Sequence, residues 1–579
     1  MRKKKRILLT AVPFALAGVV LAGCAVTGVS ASETTTDATA SVTDVDAALT
    51  AEEVLAENAD ATTVTADEAD STDETTITLT GDSATVDGDG VTVDGSTVTI
   101  TAGGTYRISG TLSGSIVVEA SEDAVVAIIL EGADISNADG AAISVLTADD
   151  VALVLEDGSE NTLSDASEYA EDAEVNASLY SDADLTISGG GALTVHGNGN
   201  DGITSTDDLK ILGGTITVVA ADDGLRGKDS LTVEGGTIDV TAGGDGLTSD
   251  QDEDATQGYL WISDGDITVE SSGDALSAET DLVVTGGELT LISGGGSSAE
   301  LAEDVSAKAL KGTVYVVIES GTIDADAADD AVHSNGAIHI SDGELTLATG
   351  DDAVHADAAL LIDGGTTVVT ASYEGLESPD IAIAGGVIAV TSSDDGINAS
   401  TGSGESMQAD GSTITITGGD ITLDAGGDGF DSNGSASMSG GTLTVWGPTG
   451  DGNGAIDVNG TFDVSGGTVL AVGSSGMAAT PSADSAQGWV FATVSGEAGS
   501  TVQIVSNGTV VAEYTAQKAF SSVVYSGEGI TSGESYEIVV DGSSTTVTAG
   551  EGGSTGMGGP GGGQGDGGPG GSGQGDGDS

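Results

Sequence analysis

The sequence predicts an all-β protein: a right-handed parallel β-helix, a solenoid with rungs of about 22 residues, that ends in a small C-terminal β cap. Dipeptides that end in glycine (Gly-Gly, Asp-Gly or Ser-Gly), here called glycine pairs, recur along the middle of the chain. Those that begin at residues 320, 342, 364 and 385 are spaced by 22, 22 and 21 residues. Apolar and polar residues alternate around each pair, and this region has no sustained helical period. A β-propeller would need roughly twice this period, with four strands per blade.

One repeat, LTVEGGTIDVTAGGDGL from Leu231, illustrates the rung. Leu231 and Val233 alternate with polar residues, as do Ile238 and Val240, which is typical of strands with one buried face. The Gly-Gly pairs between these segments tolerate the positive φ of tight turns. Leu247 begins a third, very short strand. Three short strands and their turns therefore account for one rung.

The N-terminus has the three parts of an export signal. Five basic residues are followed by an apolar stretch from Ile7 to Ala22 and then by Leu-Ala-Gly-Cys, which ends at Cys24. This order is typical of a signal peptide, and the last four residues resemble the lipobox of bacterial lipoproteins. We therefore expect residues 1–23 to be a lipoprotein signal peptide and Cys24 to carry a lipid. The alternative is an uncleaved N-terminal anchor, and both place the rest of the chain outside the cytoplasm.

Composition divides the remaining chain into four parts. Residues 24–75 are acidic and rich in Thr, which predicts a disordered tether. Residues 76–475 are predicted to form the β-helix, with irregular rungs at its start. Residues 476–550 contain several further strands and are predicted to form the C-terminal β cap, because an open solenoid end is an unpaired strand edge. Residues 551–579 form a Gly-rich tail that we expect to be disordered.

Charge narrows the possible partners. The chain has 94 Asp and Glu residues against 12 Lys and Arg residues, and its formal net charge is −82. Such a surface repels nucleic acid, so we expect no nucleic-acid partner. It attracts cations instead, although acid-rich surfaces also keep secreted proteins soluble. The single cysteine excludes an intramolecular disulfide.

Acidic residues recur in register after the short strands. In successive rungs they would stack about 4.8 Å apart. At that distance each neighbouring pair of charges costs on the order of 3 kcal/mol with an effective dielectric near 20, so either their pKa values rise or cations bind. An excess of carboxylate oxygens favours Ca²⁺, although Asp-Gly also makes turns. The predicted calcium ligands are Asp222, Asp223, Asp245, Asp329, Asp330, Asp351, Asp352, Glu374, Asp394 and Asp395.

A second set of residues is predicted to contact a ligand beside these acids. Two histidines suggest a transition metal, but hydrogen bonding to the acids is the simpler role. The basic residues are candidates for a Brønsted base in β-elimination, or they offset the acidic charge. The set comprises Arg226, Lys228, Lys308, His333, His355, Glu377 and Asn398.

Three segments carry a resemblance to a known family. Asp222 to Asp250, Asp329 to Asp357 and Ser372 to Ala399 closely resemble bacterial carbohydrate-binding β-helix lipoproteins, over roughly residues 76–548. The resemblance implies a calcium-containing, pectate-lyase-like fold, in a clostridial branch that binds cellulose and polygalacturonate. This sequence departs from the pattern where the acid is single, at Asp245, Asp274 and Asp428, and near Gly294 to Ser298, where it is missing.

Together these observations predict a lipid-anchored, extracellular protein that binds polysaccharide through a calcium-stabilised β-helix and is not an enzyme. The expected partner is a cellulose- or pectin-like plant glycan or another cell-wall glycan, with the membrane contacted through the lipid. A polysaccharide lyase and a structural adhesin are the alternatives. Aromatic residues are scarce, which argues against a flat aromatic platform on which sugars stack. Trp261 and Trp446 are the few candidates for such a platform, and either could lie in the core.

Overall fold

A computed structural model describes residues 45–69, 74–170, 173–302, 305–402 and 409–552. The signal peptide, the lipidation site Cys24 and nearly all of the Gly-rich tail lie outside these ranges. The described chain is all-β with long parallel sheets, as the sequence predicts. None of the helices in these ranges has the length and apolar character needed to cross a membrane.

Each repeat contributes one strand to each of three parallel ladders. The pre-turn ladder precedes the glycine pair, the post-turn ladder follows it, and the short ladder contains the strands that follow the acidic residues. Residues one period apart are paired; Ile216 pairs with Ile238, which in turn pairs with Ile267. Because the insertions between repeats leave this register intact, equivalent side chains stack directly above one another.

The post-turn ladder contains the strands Thr75–Gly81, Glu160–Ser164, Ala192–Gly197, Thr215–Ala220, Glu288–Ser293, Thr322–Ala327, Glu344–Thr349, Thr366–Ala371, Val387–Ser392, Asp420–Ala425, Thr442–Trp446 and Thr468–Gly473. The pre-turn ladder contains Asp150–Leu155, Asp184–Gly189, Asp208–Ile211, Asp281–Val284, Tyr315–Ile318, Ala337–Ile340, Ala359–Ile362, Asp380–Ile383, Thr413–Ile416, Ser435–Met438 and Phe462–Val464. Four longer strands run through the turn and join both ladders: Gly104–Ser113, Val125–Ser136, Ser230–Ala242 and Tyr259–Ser271. The short ladder contains Thr97–Ile100, Ser115–Glu119, Ile143–Thr147, Ala177–Ser181, Asp201–Ser205, Leu225–Gly227, Leu247–Ser249, Leu276–Ala278, Leu310–Gly312, Val332–Ser334, Val354–Ala356, Leu376–Glu377, Ile397–Ala399, Phe430–Ser432 and Ile456–Val458.

Stacked aliphatic side chains form the core between the ladders. Burial alternates along the post-turn strands, so that Leu289 and Leu291 are buried while their neighbours are exposed. The glycine pairs allow the ladders to stack closely at the turn. Gly441 has a φ of 79°, and a Cβ there would lie 2.5 Å from the carbonyl oxygen of Gly418. A side chain at this position would therefore be strained and would collide with the rung below.

Antiparallel strands cover both ends of the ladders. At the start, Ala84–Asp87 pairs with the first post-turn strand and Val91–Asp94 pairs with the first short strand. At the end, Ser522–Ser526 pairs with the last post-turn strand and with Trp489–Ala492. The C-terminal region also forms a four-stranded antiparallel sheet of Thr501–Ser506, Thr509–Thr515, Ser535–Val540 and Ser543–Thr548.

The N-terminal segment differs from the predicted tether. Within residues 24–75, the structure describes an α-helix, Ala51–Glu57, and a 3₁₀-helix, Ala66–Glu68. A capping box begins the α-helix, and Val54 packs against Val283 and Val317 on the pre-turn ladder. The sparse apolar residues, which indicated disorder in the sequence, are the ones that contact the ladder. Tertiary packing therefore orders residues 45–69, whose own composition is too polar to fold alone.

Candidate functional site

Three columns of side chains line the edge between the post-turn and short ladders. The acid column lies two residues before the first buried aliphatic or aromatic residue of ten successive short strands. Its members are Asp201, Asp223, Asp245, Asp274, Lys308, Asp330, Asp352, Glu374, Asp395 and Asp428. The outer column is one residue earlier and includes Asp222, Asp329, Asp351, Tyr373 and Asp394. The inner column is three residues after the acid column and contains Thr204, Arg226, Thr248, Ser277, Lys311, His333, His355, Glu377, Asn398, Asp431 and Asp457.

All ten predicted calcium ligands lie in the acid and outer columns, and the two predicted histidines, His333 and His355, are paired in the inner column. Of the other predicted ligand residues, Lys228 lies beyond the end of its short strand, outside the columns. Asp201 is a residue that the sequence reasoning missed. Its Asp-Gly-Ile motif matches the signature of the later rungs and could have revealed it.

The acid column has a structural role of its own. One oxygen of each of several acids accepts the backbone N–H of the next rung: Asp223 Oδ1 from Asp245 at 2.8 Å, and Asp330 Oδ1 from Asp352 at 3.1 Å. Asp395 Oδ1 likewise accepts from Asp428 at 2.6 Å. This bond explains why Asp recurs at the turn without any metal. It also leaves Oδ2 as the oxygen that other charged groups or ligands can contact.

Basic side chains neutralise the middle of the acid column. Lys308 takes the column position between Asp274 and Asp330, which the sequence reasoning regarded as a rung without its acid. Its Nζ is 2.6 Å from Asp329 Oδ2 and 3.4 Å from Asp330 Oδ2. Lys311 Nζ is 2.8 Å from Asp274 Oδ2. The Lys-Ala-Leu motif at Lys308 parallels Asp-Ala-Leu one rung earlier, so the sequence held a signal for this register.

Two histidines complete this middle stretch. His333 Nδ1 is 2.8 Å from Asp330 Oδ2, and His355 Nδ1 is 3.4 Å from Asp352 Oδ2. Although burial acts in the opposite direction, hydrogen bonds with His333 and His355 hold the pKa of Asp330 below its ordinary value. Burial likewise opposes the shift at His355, but hydrogen bonds with Asp330 and Asp357 raise its pKa to about 11. The geometry therefore matches the simpler role of these histidines, hydrogen bonding to the acids.

The C-terminal stretch of the columns has no such neutralisation. No Lys or Arg occurs between Lys311 and Lys518 in the sequence, and Lys518 pairs with Asp424. Within the described residues, no basic side chain forms an ion pair with Glu374, Asp395 or Asp428. The acids of this stretch therefore face one another.

Burial and mutual repulsion shift the ionisation of these acids. Burial, together with Asp428, raises the pKa of Asp395 to about 8. Burial, together with Asp395, raises the pKa of Asp431 to about 8. Burial also raises the pKa of Glu374 to about 7, although a hydrogen bond from Asn398 Nδ2 acts in the opposite direction. The Oδ1 atom of Asn398 is buried and has no hydrogen-bond partner among the described residues.

In the N-terminal stretch of the columns, basic side chains offset the acidic charge less than in the centre and more than in the C-terminal stretch. Arg226 donates from Nη2 to Asp250 Oδ2 at 2.6 Å and from Nε to the same oxygen at 3.0 Å. Burial, together with Asp223, raises the pKa of Asp201 to about 7. Burial, together with Asp274, raises the pKa of Asp245 to about 7. The columns thus consist of a neutralised centre between two stretches of excess negative charge.

Comparisons with known proteins find a family and two relatives. The family described as carbohydrate-binding domain-containing protein matches residues 94–353 and 352–558, which include all three columns. A protein of that description from Acetivibrio thermocellus is 42% identical over 126 residues, which is 21% of this chain and 44% of the relative. The match therefore spans less than half of that relative's length.

A solved structure, described as the polysaccharide lyase-like protein from C. thermocellum in a gadolinium derivative, is also similar. It is 37% identical, with a TM-score of 0.37, over 38% of this chain and 90% of that one. The family match covers most of the chain, including the ladders from residue 94 onward and the C-terminal sheet. The chain therefore belongs to the family of carbohydrate-binding domain-containing proteins.

Proposed function

We propose that this protein binds polysaccharide on the cell surface through a right-handed parallel β-helix that calcium stabilises, without catalysing a reaction. The observation that carries the proposal is the register of the columns within a family of carbohydrate-binding proteins. Three strands per repeat, paired in parallel with the next repeat, support the β-helix. The long, regular edge that results suits an extended polymer better than a small molecule.

Calcium fits the C-terminal stretch best. The donors there are carboxylate oxygens with an amide oxygen beside them, the hard ligands that Ca²⁺ prefers. Glu374, Asp394 and Asp395 would hold the ion, with Asn398 Oδ1 as a buried acceptor in need of a partner. Bound calcium would offset the repulsion between these acids. Asp222, Asp223 and Asp245 form the second candidate stretch.

The centre of the columns fits a metal ion less well. Lys308 lies between Asp329 and Asp330 and supplies the positive charge that an ion would otherwise bring. Asp351 and Asp352 are the predicted ligands nearest this stretch. Burial, and next a hydrogen bond with Glu377, raise the pKa of Asp352 to about 9. A proton shared by Asp352 and Glu377 reduces the repulsion between the two carboxylates, as a bound cation would.

The ion pairs of the basic residues support binding over elimination. A lyase needs a neutral base beside the proton that it removes from the sugar. Although burial opposes the shift, the charge of Asp330 raises the pKa of Lys308, and that of Asp274 raises the pKa of Lys311. Arg226 is engaged by Asp250. These groups therefore retain their protons and act as counter-charges.

Cys24 would anchor the protein to the membrane. Only 20 residues separate it from Val45, the first described residue. Fully extended, they would span at most roughly 70 Å. A lipid at Cys24 would therefore hold the ladders close to the membrane, facing cell-wall glycans.

A glycan array, probed with and without a calcium chelator, tests the proposal. We expect the wild-type protein to bind at least one class of polysaccharide, and chelation to weaken that binding. Retention on a column of the bound polysaccharide, without release of product, distinguishes binding from catalysis. A protein that binds no polysaccharide on the array, with or without calcium, would contradict the proposed function.

A further inference from the structure

Tyr373 is the aromatic side chain most accessible to a ligand. Among the large apolar side chains that are exposed in the described residues it is the one aromatic, with 47% exposure. Trp446 is buried, and Trp261 packs with the N-terminal helix, so neither provides the platform considered from the sequence. Tyr373 occupies the outer column, where the neighbouring rungs have Asp351 and Asp394.

The backbone holds Tyr373 rigidly. Its N–H donates to the carbonyl of Asp351 at 2.8 Å, and its carbonyl accepts from Asp394 N–H at 2.9 Å. These two bonds fix the main chain of Tyr373 between the neighbouring rungs, so that the backbone needs little ordering when a ligand stacks on the ring, which lowers the entropic cost of binding.

An insertion contributes two apolar side chains to the same surface depression as this ring. It leaves the post-turn strand at Gly294 and returns to the acid column at Lys308. Ser297 N–H donates to Asp326 Oδ1 at 2.6 Å, and Ser293 Oγ donates to the carbonyl of Ala307 at 2.8 Å, so both ends of the insertion are tied to the ladder. These bonds fix Ser297 and Ala307 relative to the ladder.

Tyr373 and residues of the insertion line one surface depression of about 490 Å³, a volume within the size range of ligand sites. The insertion contributes Leu301 and the exposed Val305. Small residues, Ala328 and Gly350, also line it. A Cβ on Gly350 would lie 2.5 Å from the carbonyl oxygen of Ala328, so the stacked rungs leave no room for a side chain at this position.

Only hydrogen-bond acceptors were found among the charged groups that line the depression. They are the carboxylates of Asp329 and Asp351, and the nearby Lys308 amine is engaged by Asp329. A pyranose unit offers the matching chemistry. Its hydroxyls donate hydrogen bonds to carboxylates, which are strong because the acceptor is charged, and its C–H face packs on the negative face of an aromatic ring. Lys308 offsets the charge of Asp329, but no basic side chain among the described residues forms an ion pair with Asp351. A uronate would therefore place its carboxylate beside the uncompensated charge of Asp351.

We propose that Tyr373, Leu301 and Val305 form a subsite for a neutral pyranose unit of a polysaccharide. The apolar face of the sugar stacks on Tyr373, and its hydroxyls donate to Asp329 and Asp351. This inference rests on the proposed function and narrows it: the ligand is an uncharged glycan with an exposed apolar face, and polyuronate is disfavoured here.

The test compares Tyr373→Ala with Tyr373→Phe and with Val387→Ala, a control that removes an exposed apolar side chain outside the depression. Affinity electrophoresis in gels that contain soluble β-glucan, xylan or polygalacturonate measures binding in calcium. We expect Tyr373→Ala to weaken binding to a neutral glycan about tenfold, a loss typical of an aromatic contact. The affinities of Tyr373→Phe and Val387→Ala should stay within about twofold of the wild type. The first variant keeps a phenyl ring at position 373, and the second leaves Tyr373 itself in place.

The outcomes separate this inference from the proposed function. A wild type that binds none of the three glycans contradicts both. Binding to a neutral glycan that Tyr373→Ala leaves unchanged contradicts the subsite alone. Loss of polygalacturonate binding in Tyr373→Ala, with neutral binding intact, contradicts the choice of a neutral sugar. Melting of each variant near the wild-type temperature excludes misfolding as the cause.

Discussion

Two chemically identical substitutions in the acid column should change stability in opposite directions. Asp395→Asn and Asp330→Asn each remove one negative charge from an Asp-Asp pair. Each retains an Oδ1 that can accept the N–H of the next rung, as Asp395 does from Asp428 and Asp330 does from Asp352. The surroundings differ: Asp395 faces other acids, whereas His333 and Lys308 contact Asp330. The comparison therefore isolates the charge.

The magnitudes follow from these contacts. Two ionised carboxylates on adjacent rungs repel by on the order of 3 kcal/mol at an effective dielectric near 20. Asp395 has such a neighbour on each side, although protonation and solvent reduce the sum. We therefore expect Asp395→Asn to stabilise the metal-free protein by about 1–3 kcal/mol. Breaking a buried ion pair costs about 3–5 kcal/mol, so Asp330→Asn should destabilise it.

Thermal melting at pH 8 in a chelator, followed by a titration with calcium, measures both effects. Asp395→Asn should melt higher than the wild type in chelator and gain less from calcium. Asp330→Asn should melt lower than the wild type in both conditions. If both variants shift in the same direction in chelator, the division into a neutralised centre and a repulsive C-terminal stretch is wrong.

Four further predictions concern calcium, the anchor, catalysis and the N-terminal helix. Because burial raises the pKa of Asp395 and Asp431 to about 8 and of Glu374 to about 7, the folded state binds protons more tightly than the unfolded chain. The melting temperature in chelator should therefore fall as pH rises from about 4 to about 8. The increase in melting temperature on adding calcium should grow over the same range, since the calcium ligands must be deprotonated; an increase that does not vary with pH would argue against these ligands. Labelling with a radioactive fatty acid should mark the wild type and not Cys24→Ser, and equal labelling of both would remove the anchor. Incubation with polygalacturonate and calcium should give no unsaturated product by absorbance, whereas product that disappears in Lys308→Ala would show that the protein is a lyase. Val54→Asp should expose the N-terminal segment to limited proteolysis, because Val54 is buried against the ladder, and the exposed control Glu52→Ser should resist like the wild type; cleavage of both would mean that the helix is not held by this contact.

Much of the candidate site followed from the sequence because a repeated register is visible in one dimension. The run Asp330, Asp352, Glu374 and Asp395 has no insertion, so its stacking could be predicted from spacing alone. The same holds for His333 and His355, which the ladder pairs directly. Asp201 and Lys308 each lie one 22-residue period before the next member of the acid column, at Asp223 and Asp330. They were missed because the rung before each is longer, which interrupts the regular spacing.

The sequence by itself determined the strands, the turns and the order of the columns, because alternation and glycine pairs act over a few residues. Only the tertiary structure decided which acids are neutralised. Lys308 reaches Asp329 and Asp330 through an insertion whose path depends on contacts between rungs. It also decided that Val54 packs on residues more than 200 positions away, and that Leu301 faces the same depression as Tyr373. Contacts between residues so distant in sequence leave no local pattern, because their energy comes from burial and charge in the stacked ladders.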